Sequence, residues 1–362
     1  MFVDVVGQER AVETLRRASV RPSHAYLLVG PRGSGVEDAA REFAALLIGV
    51  GENDRALGLV RRGVHADVVE FAPAGTQYKV DEVREGILPE AARAPIEADR
   101  RVLVVFEAER LQRLGQDVAA NAMLKTLEEP PPRTIMLLVT SAPDDLLPTI
   151  RSRCQRIDFH PVADDALRAA LEHDGVAPEI AATASALSGG QLARARAFAG
   201  PLAPMRAAFV NATTRVDGTG ARAFAIAELL GAAVDQAADA VANRHQQELQ
   251  DLDEELERHG YEERAASALR KRMNERHKRE VTRARRDLLL EGVTVIESVY
   301  RDSLADPAAP LNQDQPRLVV SPRAAAGALD ACREAREAFL VNEKGLVRLT
   351  HLLLSLPTAK PA

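Results

Sequence analysis

Three short stretches carry residue types suited to phosphate chemistry. Gly30-Pro31-Arg32-Gly33-Ser34-Gly35-Val36-Glu37 follows an apolar run and opens a helix-like pattern, and its glycines have the Gly-x-x-x-x-Gly spacing of a phosphate-binding loop. A working loop continues with Lys, whose ammonium reaches the β- and γ-phosphates, and then with Ser or Thr, whose hydroxyl ligates Mg²⁺. Here Val36 and Glu37 occupy those places. The cation is gone, and the Glu37 carboxylate would repel phosphate oxygens at short range. The stretch reads either as a nucleotide loop that has lost its chemistry, with Gly30, Gly33, Gly35, Val36 and Glu37 as its residues, or as a glycine-rich turn unrelated to nucleotides.

A second stretch, Val104-Val105-Phe106-Glu107-Ala108-Glu109, ends an apolar run in acid. An adjacent Asp-Glu pair in this position would hold Mg²⁺ and activate water, but here Ala108 splits the two carboxylates. Glu109 is equally readable as a helix-surface carboxylate. The third, Thr149-Ile150-Arg151-Ser152-Arg153-Cys154, is by itself a basic turn with exposed arginines. Cys154 is expected to pack rather than to attack, and His65 is expected to be an ordinary loop histidine.

The elements needed to position these residues are legible before about residue 160. Ala25-Tyr26-Leu27-Leu28-Val29, Arg101-Val102-Leu103-Val104-Val105-Phe106 and Thr134-Ile135-Met136-Leu137-Leu138-Val139-Thr140 are short apolar runs separated by amphipathic helical patterns. That alternation predicts an α/β domain with a parallel sheet covered on both faces, and ligands sit past the carboxyl ends of such strands. Asn121 to Pro131 predicts a helix stopped by consecutive prolines, with Lys125 and Glu129 spaced for an ion pair worth about 0.2 to 0.5 kcal/mol.

Residues 161–200 turn Ala-rich and helical, broken by Pro178 and by Ser188-Gly189-Gly190, and predict a small helical lid domain. Residues 201–362 show no lasting strand pattern and predict an all-helical third domain. Within it, residues 244–287 are nearly all polar, acidic first and then basic, with Gly260 at the crossover. Two antiparallel helices with paired charges fit this pattern, and so does one long solvated helix. A solvated insertion and a partner- or DNA-binding arm are the two functional readings. Ser303 to Pro316, with Pro307 and Pro310, predicts a loose loop.

The chain has 362 residues, a net charge of -6, 28% charged residues and no Trp, which suits a soluble protein of two or three domains. Its acidity argues against a dedicated nucleic-acid binder, so DNA contact would need a local patch or a complex. Two cysteines, Cys154 and Cys332, can form neither a disulfide framework nor a four-ligand zinc site. The amino terminus lacks a basic segment followed by an apolar run, and no apolar stretch approaches a membrane span; a cytoplasmic location is expected.

Together, Leu124-Lys-Thr-Leu-Glu-Glu-Pro-Pro131, the following strand and Ser152-Arg153-Cys154 resemble the bacterial clamp-loader subgroup of AAA+ proteins, and Asp4-Val5-Val6-Gly7-Gln8-Glu9 is similar to the segment that packs beside the adenine pocket there. The resemblance covers residues 1–200 motif by motif and the rest by class only. It implies an AAA+ domain over residues 1–160, a lid over 161–200 and a collar that oligomerises over 201–362, with a charged insertion at about 240–290. It implies that Arg153, with Ser152 beside it, is an arginine finger reaching a neighbour's ATP, where such a group is worth about 10³ to 10⁵ in rate. Missing Lys and hydroxyl favour the non-hydrolysing delta-prime kind of member over the ATP-hydrolysing motor (tau/gamma) kind. The implied partners are motor and delta subunits, the sliding clamp and, through the assembled ring, primer-template DNA; the activity is that of the DNA polymerase III holoenzyme, a DNA-directed DNA polymerase, with no autonomous ATPase. No cofactor is expected: ATP belongs to the neighbour, and residues 51–67 lack the four cysteines of the zinc module found in many delta-prime subunits. The nucleotide-sensing arginine of the lid corresponds to Ala193, with Arg194 one place out of register. A motor subunit using Arg32 as substitute cation, and a helical scaffold acting through residues 244–287, are the rival readings.

Overall fold

The structure, a computed structural model, describes residues 1–3, 5–31, 33–51, 55–73, 77–112, 118–258, 263–305, 310–312, 314–315, 317–341, 345–358 and 360–361. Asp4, Arg32, Gly260, Pro307 and Pro316, to which roles are assigned above, lie outside the described residues. The chain forms two compact units, one of Met1–Ala166, Gly190–Ala193 and Glu255–Arg276, the other of Leu167–Gly189, Arg194–Glu254 and His277–Ala362.

The first unit holds a five-stranded, wholly parallel sheet of β1 (Ala25–Val29), β2 (Val68–Phe71), β3 (Arg101–Val105), β4 (Thr134–Thr140) and β5 (Gln155–Asp158), in the order β2-β3-β4-β1-β5. Three strands are those the apolar runs predict. In β1, β3 and β4 every residue is buried, because both faces are covered. The two-residue period assigns the faces: Tyr26, Leu28, Val102, Val104, Leu137 and Val139 pack with α1 (Glu9–Val20), α2 (Val36–Leu47) and α3 (Arg55–Arg61). Leu27, Val29, Leu103, Val105, Met136 and Leu138 pack with the π-helical turn Glu82–Ile87, α4 (Leu88–Ala92) and α5 (Val118–Glu128) on the other face.

Two buried ionic groups tie the β2–β3 side together. Asp67, wholly buried, accepts hydrogen bonds from the N–H groups of Ile96 (2.7 Å), Glu97 (2.7 Å) and Ala98 (2.8 Å) and lies 3.3 Å from Arg101. Arg101 is also paired with Glu90, so neither buried charge is left uncompensated. His65 is a buried loop histidine whose Nδ1 accepts the Asp67 N–H at 3.0 Å.

After α6 (Pro148–Arg151) the chain continues through α7 (Asp164–His173), α8 (Pro178–Ser188), α9 (Leu192–Ala199), α10 (Ala203–Arg215), α11 (Gly220–Arg258), α12 (Glu263–Asp302), α13 (Pro322–Val341) and α14 (Gly345–Ser355). Pro178 opens α8, where its missing N–H costs nothing, and Gly189 caps the same helix at φ +62°. A single apolar cluster, including Phe198, Phe209, Leu230, Ile296, Tyr300, Cys332 and Phe339, holds the second unit. Its helical character is as predicted apart from one two-residue antiparallel pairing, β6 (Leu318–Val319) with β7 (Lys360–Pro361).

Residues 244–287 fall on two helices rather than one. Within the second unit α11 and α12 run antiparallel: His245 pairs with Glu280 (2.8 Å), Glu248 with His277 (2.9 Å) and Asp235 with Arg285 (3.2 Å). The two imidazoles stack at 4.0 Å between centroids. The solvated reading is corrected, since Leu252, Leu256, Ala266, Leu269 and Met273 are buried. The described residues of 303–316 form a loop, as predicted, and it is tied down at several points. Asp302 accepts the N–H groups of Leu311 and Asn312 (2.7 and 2.9 Å), and Arg206 holds Asp314 at 2.6 Å.

Candidate functional site

The glycine loop joins β1 to α2, past the carboxyl end of a central strand. Gly30 donates its N–H to the Thr140 carbonyl at 3.0 Å, and a Cβ there would lie 2.7 Å from Phe159 Cβ, so no larger residue fits. Gly35 caps α2 at φ +88°, a left-handed conformation natural to glycine. Glycine is therefore required near both ends of this loop. The described side chains between β1 and α2 include no cation. Val36, in the lysine position, is 1% exposed and belongs to the apolar cluster under α1 and α2. Glu37 turns its carboxylate back to the loop, accepting the Gly33 N–H at 3.3 Å. An internal anion thus takes an amide of the kind that would face phosphate.

Gln8 braces this loop from the amino terminus. Its amide nitrogen donates to the Ser34 carbonyl (3.2 Å) and the His160 carbonyl (2.6 Å), and its oxygen accepts the His160 N–H (3.2 Å). On the other side, a Cβ on Gly33 would lie 3.1 Å from Gln191 Oε1, and Gly190 accepts the Val162 N–H at 2.8 Å. The residue set against the loop from this segment is an uncharged glutamine. Arg194, one step beyond Ala193, pairs with Glu291 (2.7 Å) and stacks over Phe198.

The split carboxylates are both engaged. Glu107 sits at φ +52°, uncommon for a non-glycine residue, and pairs with Arg110 at 2.8 Å. Glu109 accepts hydrogen bonds from Thr140 Oγ1 (2.7 Å) and Ser141 Oγ (3.1 Å) at the carboxyl end of β4, which is more than the surface role open to it in the sequence. Among the described residues, no three His, Cys, Asp or Glu side chains are arranged to hold a metal.

Arg153 stands apart from these groups, on the turn between α6 and β5. Its Nη1 donates to the Thr149 carbonyl (2.8 Å) and its Nη2 to Glu128 Oε1 (2.5 Å), so neither bond goes to the glycine loop. The side chain stays 33% exposed. Ser152 donates to the same carbonyl at 3.2 Å and closes the turn, while Arg151 pairs with Asp144 at 2.7 Å. Cys154 packs against the apolar cluster beneath α5, and burial pushes its thiol up to about 12, far from a nucleophile's range. Lys125 and Glu129 form no ion pair among the described residues; they share the last backbone bond of α5 (2.9 Å), and it is Glu128 that meets a cation.

Residues 7–163 match the family model described as DNA polymerase III, delta subunit. Over that stretch the chain is similar to subunits of DNA polymerase III. The chain is 39% identical over 175 residues to the tau subunit of DNA polymerase III from Bacillus subtilis, covering 46% of this chain and 30% of that one. It is 35% identical over 164 residues to the delta-prime subunit from Pseudomonas aeruginosa, covering 42% and 48%. The matched stretch spans about half or less of the length of each relative. A solved gamma subunit-related protein from Thermotoga maritima shares the fold over 95% of this chain and 97% of its own, with a TM-score of 0.50 at 17% identity. Over the matched residues the chain is similar to DNA polymerase III subunits of both the tau and the delta-prime kind, and the fold it shares is a parallel sheet with a mostly helical carboxyl-terminal region. No helix among the described residues is long and apolar enough to cross a membrane.

Sequence reasoning missed two of the contacts that shape this site. Gln8 was visible as part of a motif, but its reach of 152 residues to His160 was not. Glu128 was visible only as one of two acids before the prolines.

Proposed function

We propose that this chain is a delta-prime-type clamp-loader subunit that does not hydrolyse ATP itself and donates Arg153 to the ATP site of a neighbouring motor subunit. The observation that carries the reading is the contrast between two sites. At the loop, the lysine position is a buried valine and Glu37 supplies an anion of its own. At the turn before β5, a guanidinium is held part-exposed on rigid elements. A cation delivered across a subunit boundary needs no nucleotide site behind it, so loss of the first is compatible with the second.

In this reading residues 1–160, 161–200 and 201–362 are the AAA+, lid and collar domains, and the collar joins a ring with motor and delta subunits. The ring opens the sliding clamp and sets it on primed DNA in the cytoplasm. The chain binds neither zinc nor a nucleotide of its own. Similarity to tau at 39% identity favours a second reading, an ATP-hydrolysing motor subunit, against which Val36 and Glu37 speak.

Reconstitution with motor and delta subunits tests both. Arg153→Ala is expected to slow hydrolysis at the one site it completes by about 10³-fold or more, while the purified chain alone shows no magnesium-dependent turnover. Turnover by the isolated chain would establish the motor reading instead.

A further inference from the structure

Glu128 and Arg153 are 25 residues apart and meet at 2.5 Å. We infer that Glu128 is a positioning residue for Arg153, holding the guanidinium in the orientation from which it meets a phosphate on a neighbouring subunit. The inference rests on the reading of Arg153 as a finger delivered in trans.

The two acceptors that grip Arg153 come from two anchored elements. Glu128 ends α5, whose Met123 and Leu127 are buried beneath the sheet, and Pro130 and Pro131 stop the helix directly afterwards. Thr149 lies on α6, which is pinned by wholly buried Ile150. A carbonyl takes one Nη and a carboxylate takes the other, so the plane of the fork is set. Two of the five guanidinium donors are used, and among the described residues no further hydrogen bond of the Arg153 side chain consumes the rest. A flexible arginine loses side-chain freedom when it engages a ligand; one already held loses less.

The same carboxylate also offsets part of the positive charge. Glu128 is 48% exposed and the pair is solvent-screened, so its electrostatic strength is small beside the 10³- to 10⁵-fold a finger supplies. Orientation therefore outweighs quenching. The low strength also means that removing Glu128 should leave folding stability unchanged.

The test uses the reconstituted complex with Arg153→Ala, Glu128→Ala and Glu128→Gln, reading kcat and KM for ATP and the unfolding midpoint of each free variant. Gln keeps the acceptor oxygen at this position and removes the charge. Expected is a large loss with Arg153→Ala, about a fivefold fall in kcat with KM and midpoint unchanged for Glu128→Ala, and recovery of most of that loss with Glu128→Gln. If Arg153→Ala is damaging but Glu128→Ala is silent or accelerating, Glu128 does not position the finger and the finger reading stands. An equal loss in both Glu128 variants assigns the effect to charge and overturns positioning by the hydrogen bond. If Arg153→Ala itself is silent, the finger reading and this inference fall together.

Discussion

The chemistry of single residues here is mostly a matter of which charges are buried and with what. Arg41 is an example: burial disfavours its charge, but Glu70 at 2.8 Å outweighs that and holds the guanidinium pKa above its ordinary value. Cys332 shows the opposite balance. It is wholly buried in the helical unit, and burial, with Glu297 nearby, pushes its thiol up to about 12. A group that holds its proton more tightly when folded than when unfolded contributes stability below the unfolded pKa, and that contribution fades as pH rises toward the folded value. Between about pH 8.5, the ordinary thiol value, and pH 12, the wild-type protein should therefore lose stability that Cys332→Ala does not lose. Urea unfolding of both proteins at pH 8 and at pH 10.5 measures this. The gap between them should shift by up to about 2 kcal/mol in favour of the variant at the higher pH.

At the scale of elements, helix contacts are set by small residues as much as by large ones. Gly292 lies in the middle of α12, where glycine ordinarily costs about 0.5 to 1 kcal/mol relative to alanine. A Cβ at this position would come within 2.2 Å of the Phe209 ring on α10, and Phe209 is wholly buried. Steric cost should outweigh the gain in helix propensity. Gly292→Ala is expected to lower stability by about 1 to 3 kcal/mol, and a rise in the thermal midpoint would show that α10 can yield. The charge pattern of residues 244–287 left one long helix and an antiparallel pair equally open, and the contact face of the observed pair is more specific than opposite charge requires. Stacked His245 and His277, each bonded to a glutamate of the other helix, set the pairing register.

On the scale of the whole molecule, the end of that hairpin is part of the same compact unit as the sheet. Arg272 donates to the His65 carbonyl at 2.9 Å, and Arg276 donates to the Arg62 carbonyl. Burial lowers the Arg272 pKa, with Glu90 and Asp67 acting against it and Arg101 and Arg93 with it, so the guanidinium lies within electrostatic reach of the ionic group at the start of β3. A double Arg272→Ala, Arg276→Ala variant should speed amide hydrogen exchange at residues 62–67 and 96–98 by about tenfold or more, since each lost bond to a charged donor is worth about 1.5 to 3 kcal/mol. Unchanged exchange would mean that the hairpin end adds nothing to the order of that loop.

Read alone, the amino-acid sequence determined the sheet's three central strands, the helix stops at Pro130 and after Ser188, and the missing cation at Val36, because these follow from local period, proline geometry and residue type. It did not reveal β2 and β5. In the latter only Ile157 is buried, so an edge strand leaves almost no apolar period to read. Nor did it reveal the buried face of the hairpin, where sparse apolar residues are masked by charge, or the partners of Gln8, Glu109 and Arg153. Those are contacts between residues far apart in the chain. Only tertiary packing decides them, because hydrogen-bond partners depend on which surfaces the folded chain brings within about 3 Å.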